Sequence, residues 1–150
     1  MTDEFLETTV DKFVFRVKRA CWYSESGVWV HLEDGSARVG VSDYLQQASG
    51  DIAFVDVRPA GTVLAAGDEL ASIETIKAIL SVQSPVAGTV QRVNEALEES
   101  PELVNEAPYG DGWLAVMEPH DWPADRANLL DAEHYLEIMR AQALEEVSKG

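Results

Sequence analysis

The chain of 150 residues, 46% hydrophobic and 25% charged, is long enough to bury the core of one domain and has the composition of a soluble globular protein. Eleven basic residues against 27 acidic ones leave a net charge of −16, which repels nucleic acid and favours steered docking onto basic enzyme surfaces. A single cysteine, Cys21, excludes an internal disulfide and a thiolate pair for zinc, and no apolar run is long enough to cross a bilayer.

Met1-Thr2-Asp3-Glu4-Phe5 has neither the basic start nor the apolar stretch of a secretory signal, and it is too acidic for a transit peptide. The expected compartment is therefore the cytoplasm. Residues 1–11 read as loosely ordered, with Phe5, Leu6 and Val10 available to dock. Phe13, Phe15 and Val17 then alternate with Val14, Arg16 and Lys18, the periodicity of a strand. Lys12, Arg16, Lys18 and Arg19 crowd it, which reads as an edge guarded by positive charge. Cys21 reads as a half-buried structural residue, because no histidine pattern stands near it. His31, His120 and His134 are far apart and fit no metal-ligand spacing.

Glu25-Ser26-Gly27 is a turn. Asp34-Gly35 between alternating segments predicts a hairpin that joins residues 28–32 to 37–41. Ser42 caps a short helix over residues 43–48, which Gly50 ends. Residues 51–57 form a strand closed by Pro59 and Gly61, and residues 62–64 lead to a turn at 65–68.

Glu74-Thr75-Ile76-Lys77-Ala78 follows, flanked by short alternating runs and glycine clusters. The pattern predicts two strands meeting at a tight turn with Lys77 at its tip. Lys77 has apolar neighbours, Ile76 and Ala78, and its nearest acid in sequence is Glu74. A lysine so displayed suits attack by a modifying enzyme.

Beyond Val90, residues 91–94 end a strand, and Asn94 is placed to cap a helical turn over 95–98. Pro101 opens a short helix over 101–104. Residues 108–112 are turn chemistry and 113–117 a final strand. Pro119 and Pro123 bracket Trp122 and argue against a helix there. Asp131 caps a covering helix whose apolar stripe is Ala132, Tyr135, Leu136, Met139 and Ala143. Many short strands with glycine-rich turns make a mainly β chain, a β-sandwich or flattened barrel with short peripheral helices and a C-terminal helix.

The string Val93-Asn94-Glu95-Ala96-Leu97, Pro101-Glu102-Leu103-Val104-Asn105-Glu106 and Pro108-Tyr109-Gly110-Asp111-Gly112-Trp113-Leu114 resembles the glycine-cleavage H-protein family of lipoyl carriers. So do Gly40-Val41-Ser42-Asp43-Tyr44, Gly50-Asp51-Ile52 and Ser84-Pro85-Val86-Ala87-Gly88, and the likeness covers residues 19–140. Glu74-Thr75-Ile76-Lys77-Ala78 stands where the family has Glu-Ser-Val-Lys-Ala, whose lysine carries lipoate. The resemblance implies a lipoyl-domain-like hammerhead β-sandwich, lipoate in amide linkage to Lys77, and Glu74 as part of what lipoylating enzymes recognise. It implies an N-terminal extension at 1–18, a lipoyl-carrier domain at 19–118 and a C-terminal segment with the covering helix at 119–150. A biotinyl domain would flank its lysine with methionines, whereas Ile76 and Ala78 stand here. An acyltransferase would continue into a catalytic domain, for which the chain has no room.

Two departures bear on the cargo. Family members read Tyr-x-x-x-His-Glu-Trp where this chain has Gly27-Val28 before Trp29, and Leu80-Ser81 replaces a Ser-Asp pair after the lysine. An aminomethyl cargo is cationic when protonated, and an unpaired charge in a cleft is costly. These departures resemble more closely the H-protein-like lipoate-binding proteins of bacterial sulfur oxidation, which work beside a heterodisulfide-reductase-like complex. The resemblance then implies a carrier of sulfur intermediates. The alternative is the H-protein of the glycine cleavage system, partnered by glycine decarboxylase, aminomethyltransferase and dihydrolipoamide dehydrogenase. Either way the chain is expected to be a carrier with no active site, since no nucleophile and base stand together in its sequence. Val28 and Leu80, now apolar, are expected to help line a groove beside the lysine hairpin.

Overall fold

Residues 5–10, expected to be loose, form strand β1 (Phe5–Val10) in the computed structural model, which describes residues 4–149. Residues 1–3 of that expectation lie outside the described residues. β1 pairs antiparallel along its whole length with β2 (Phe13–Lys18), across a turn where Asp11 takes a φ of 56°. The reason is long-range burial: Val10, Phe15 and Val17 pack into a cluster with Cys21, Tyr23, Trp29 and the C-terminal helix. Nor is positive charge what protects the outer edge of β2. Asp43 Oδ2 accepts from the Arg16 N–H at 2.9 Å, Gln47 Nε2 donates to the Val14 carbonyl at 3.0 Å, and the Tyr109 hydroxyl donates to the Arg16 carbonyl at 3.0 Å. The edge is thus covered by side chains.

β3 (Trp22–Tyr23) leads to β4 (Val28–Glu33) and β5 (Ser36–Val41), joined by the expected hairpin. Asp34 and Gly35 both take positive φ, 51° and 81°, the twist a two-residue hairpin turn requires. Helix α1 (Asp43–Ser49) starts where Ser42 Oγ accepts from the Leu45 N–H and stops where the Gly50 N–H bonds the Gln46 carbonyl. Then come β6 (Ile52–Val57), β7 (Val63–Leu64), β8 (Glu69–Thr75), β9 (Ile79–Gln83) and β10 (Gly88–Val93). A 3-10 turn (Glu95–Glu98), α2 (Leu103–Glu106), β11 (Ala115–Pro119), α3 (Trp122–Arg126) and α4 (Ala132–Lys149) complete the order.

Three expectations are corrected in this second half. Asn94 does not cap with its side chain: its Nδ2 donates to the carbonyls of Asp111 and Trp113, both at 2.8 Å, and so pins the turn before β11. The short helix begins at Leu103, with Pro101 in the turn before it. A helix does form around Trp122. Asp121 accepts from the Ala124 N–H, and Pro123 falls in the first turn, where a missing N–H costs nothing.

Six strands lie in one sheet, in the order β3-β4-β5-β11-β10-β7, and three in another, β6-β8-β9. One core lies among these strands, from Val30, Val39 and Val41 to Leu70, Ile73, Val82, Leu114 and Met117. Each such side chain, fully buried, contributes about 1.5–3 kcal/mol. The result is the mainly β sandwich with short peripheral helices and a C-terminal helix that the sequence predicts. α4 covers a second core: Tyr135 stacks on Tyr23 at 4.4 Å and 3°, and its hydroxyl meets Ser42 Oγ at 2.8 Å. Arg140 Nη1 donates to Thr8 Oγ1 and to the Thr9 carbonyl, tying α4 to β1. No helix among the described residues is long and apolar enough to cross a membrane.

Candidate functional site

β8 and β9 pair antiparallel with Glu74 opposite Ile79 and Ile73 opposite Leu80, which leaves residues 75–78 to close the hairpin. Lys77 stands exposed in that turn, at the tip where its sequence context places it. The turn contains no glycine, and Asp11 and Asp34 are the non-glycine residues with positive φ among those described. Its geometry comes from Thr75. The Thr75 N–H donates to the Ala78 carbonyl at 2.9 Å, and its Oγ1 donates to the same carbonyl at 3.3 Å. Oγ1 also accepts from the N–H of Lys77 at 3.3 Å and of Ala78 at 3.2 Å. One hydroxyl thus satisfies donors that would otherwise face water and holds the lysine backbone in place. Reading the sequence for Lys77 and Glu74 alone misses Thr75. Nothing in the sequence marks this threonine as different from a solvated one.

Glu74 is exposed, and neither it nor Lys77 has an ion-pair partner among the described residues. Down the same hairpin, Glu69 is engaged: it accepts from Ser81 Oγ at 2.8 Å and pairs with Arg58 at 3.5 Å.

Val28 and Leu80 come together, as the sequence reading expects. They share a cavity of about 180 Å³ with Val41, Leu45, Ile73 and Val82, floored by the sandwich core and opening beside β9. Its polar lining is Ser26, Gln46, Ser49 and Ser81, with no ionisable side chain. Between the lining residues Ser26 and Val28, Gly27 takes a φ of 93°, and a Cβ there would lie 3.0 Å from the Tyr135 hydroxyl. A larger groove of about 420 Å³ lies elsewhere, between the β1–β2 hairpin and the end of α4.

Cys21 is fully rather than half buried, and burial pushes its thiol up to about 12, against the opposing pull of Lys18 and a hydrogen bond with Tyr23. At neutral pH it is a neutral thiol packed in a core, not a nucleophile. Among the described residues no three of His, Cys, Asp and Glu converge on a point where a metal ion would sit. What the arrangement offers chemically is a displayed primary amine at the tip of a hairpin whose Ile73 and Leu80 line a small, mainly apolar cavity.

A model of the family described as Glycine cleavage H-protein matches residues 21–142. The Glycine cleavage system H protein of Bacteroides fragilis is 48% identical over 119 residues, which is 79% of this chain and 94% of that protein. The Probable glycine cleavage system H protein of Thermococcus kodakarensis is 41% identical over 128 residues, 85% of this chain and 95% of that one. A crystal structure of a glycine cleavage system H protein from Mycobacterium marinum aligns with a TM-score of 0.71 at 26% identity, over 79% of this chain and 95% of its own. The lysine hairpin and the small cavity fall inside the span matched by the family, and the β1–β2 hairpin precedes it.

Proposed function

The chain belongs to the glycine cleavage H-protein family, and from that premise we propose that it is a non-catalytic lipoyl carrier of the glycine cleavage system. Lipoate is joined by an amide to Lys77, and Glu74 is part of what the lipoylating enzyme reads. The observation that carries this reading is the placement of Lys77, exposed and without an ion-pair partner at a hairpin tip inside the family span. The residues suit the group: a free primary amine to acylate, and apolar Val28, Ile73 and Leu80 beside the same hairpin. When bound, the lipoyl group supplies a two-electron dithiol–disulfide couple at the end of a long arm.

The chain's own part is presentation. Thr75 fixes the lysine backbone, so flexibility is confined to the side chain. Acylation removes the ammonium charge of Lys77, which lets the side chain lie against apolar surface. Burying methylenes in the cavity is worth about 0.8 kcal/mol each, enough to bias an arm toward rest and little enough to release it. Tethering raises the local concentration of cargo at a partner to the order of millimolar. The partners are a lipoylating enzyme, glycine decarboxylase, aminomethyltransferase and dihydrolipoamide dehydrogenase, and the compartment is the cytoplasm. Residues 19–118 are the carrier domain, 1–18 an extension of it and 119–150 the covering segment. The start of the family match at residue 21 supports the first boundary.

The names of the relatives weigh for glycine cleavage over the sulfur-carrying role that the resemblance to the sulfur-oxidation proteins implies. One observation favours that second reading: the cavity beside the arm holds no carboxylate to pair with a protonated aminomethyl cargo. The experiment takes both in turn. The purified chain is incubated with a lipoate–protein ligase, lipoate and ATP, and its intact mass is followed beside that of Lys77→Arg. One lipoyl addition is expected on the first and none on the second, with unchanged melting. A bare wild-type chain, or a loaded Lys77→Arg, ends the proposal. The loaded chain is then given to glycine decarboxylase with glycine. Glycine-dependent release of carbon dioxide supports the aminomethyl cargo, and its absence, with acceptance of sulfane sulfur from a heterodisulfide-reductase-like complex, hands the role to the second reading.

A further inference from the structure

The groove of about 420 Å³ behind the N-terminal hairpin is built from both ends of the chain. Its hairpin residues, 10–13 and 15, precede the span matched by the family, and its α4 residues, 143, 146 and 147, follow it. Inside that span α1 adds residues 44, 47 and 48. Both helices thus contribute with one spacing, i, i+3 and i+4, which is the stripe a helix presents to another helix. The walls are fixed before anything enters. Phe15 packs edge-on against Tyr44 at 5.3 Å, Gln47 Nε2 holds the Val14 carbonyl, and Arg140 ties α4 to β1. Yet large apolar side chains stay in water there: Phe13 is 44% accessible and Val147 41%.

Exposed apolar side chains around a preformed groove mark a place that something covers. Charge decides what. Asp11 and Glu146 stand at the groove with no ion-pair partner among the described residues. The cation among its lining residues, Lys12, leans over the Phe13 ring, with Nζ 5.9 Å from the centroid. Burial, and after it Glu146 and Glu145, push the Tyr44 hydroxyl above its ordinary value, in keeping with a negative potential there. The whole chain carries −16. A second copy brings the same charge and is repelled, as is an anionic bilayer, whereas a cationic protein is drawn in. Two helical stripes around an apolar floor are the setting in which an amphipathic helix is received.

We propose that this groove receives a basic amphipathic helix of a partner protein, its apolar stripe laid against Phe13, Phe15 and Val147 and its lysines or arginines beside Asp11 and Glu146. α1 is seven residues long, about 10 Å, so two to three turns of the partner make the contact. Most of the groove lies outside the family span, so this partner is additional to the enzymes that share the arm. Lys77 stands on the β8–β9 hairpin of another sheet, and the contact does not depend on its being acylated.

The test titrates the full chain into a dye-labelled peptide of about 18 residues, leucines and lysines set at helical spacing, and follows fluorescence anisotropy. A scrambled peptide of the same composition runs beside it. The striped peptide is expected to bind with a Kd of the order of 10 μM and to gain helical circular dichroism, and the scrambled one to bind at least about tenfold more weakly. Phe13→Ser and Val147→Ser are each expected to weaken the striped peptide about tenfold. Glu146→Gln weakens it too and flattens its salt dependence. Val63→Ser removes an exposed apolar residue on β7, away from the groove, and leaves Kd where it was. Thermal melting of the four variants verifies that the exposed positions do not support the fold. Equal binding of the scrambled peptide would mean that charge alone holds it, and overturns the proposal, as do groove variants that bind like wild type. Tighter binding of a glutamate-for-lysine version of the striped peptide overturns the basic partner. Occupation of the groove by octanoate, with no binding of the striped peptide, assigns it to a small amphiphile and overturns the proposal as well. None of these readings involves lipoate, so this proposal and the assignment of Lys77 stand or fall separately.

Discussion

Gly40→Ala is the substitution for which the structure gives the sharpest energy. Gly40 lies opposite Trp29 across β4 and β5, and a Cβ there would lie 2.5 Å from Cζ2, 2.6 Å from Cε2 and 2.8 Å from Nε1 of the indole. Carbon atoms prefer separations of about 3.5–4.0 Å, so the ring must retreat by roughly 1 Å. It has little room to do so, since Trp29 is 1% exposed and its Nε1–H donates to the Pro108 carbonyl at 3.0 Å. Overpacking costs about 1–3 kcal/mol and loss of that buried bond about 1–3 kcal/mol more, together about 2–6 kcal/mol. At about 2–4 °C per kcal/mol for a chain of this length, a central value near 4 kcal/mol lowers Tm by about 8–16 °C. Calorimetry or urea denaturation reads this directly. The control is the same change in a Trp29→Phe background, where the colliding atoms are gone and the added cost should drop below about 1 kcal/mol. An equal cost in both backgrounds would falsify the collision as its cause.

Three further outcomes are expected. Leu80→Asp puts a carboxylate at the mouth of the small cavity, destabilises by about 1–3 kcal/mol and frees the lipoylated arm, which spin-label or NMR mobility measures; an arm equally mobile before and after sinks the cavity as its resting place. Phe15→Ala empties a site against Tyr44 and α4, costs about 3–5 kcal/mol and accelerates amide exchange in β1 and α4 before β4 and β5; uniform acceleration would mean the N-terminal hairpin is no separate unit. On the alkaline side, burial raises Cys21 from 9.0 and Tyr135 from 10.0, each to about 12. The folded state then holds protons that the unfolded chain has released, so stability falls as pH rises through about 9 to 12. A urea midpoint that stays flat from pH 8 to about 11, or a Cys21 that reacts with a disulfide reagent at pH 8 before unfolding, contradicts this burial.

What could be read in advance was local. Asp34-Gly35 carries its hairpin in its own conformational preference, Ser42 caps through a bond to a residue three along, and Lys77 sits between strands whose alternation is visible on either side. What could not be read depended on partners far away. β1 contributes a single fully buried residue, Val10, so its apolar signal is faint until Phe15, Val17 and α4 supply the other side of its core. Asn94 looked like a cap because its neighbours suit one, but two carbonyls at 111 and 113 claim its amide. Pro119 and Pro123 bracket Trp122 as helix breakers do, but Pro123 falls in a first turn, which tolerates what a helix interior does not. At the site the lysine was legible and its turn was not. Thr75 works through bonds to its own backbone neighbours, which no spacing rule distinguishes from a solvated threonine.

The tie between Arg140 and Thr8 joins residues 132 apart, so β1 leaves the ribosome long before the helix it waits for. Until α4 emerges, Val10, Phe15 and Val17 have no roof, and the nascent hairpin exposes its sticky face in the company of other unfinished chains. The strong negative charge keeps such chains apart during that interval. Fusing a bulky tag to either end would crowd the same closing step, and a truncation that spared the lysine hairpin but removed α4 would yield a chain that is made but does not stay in solution.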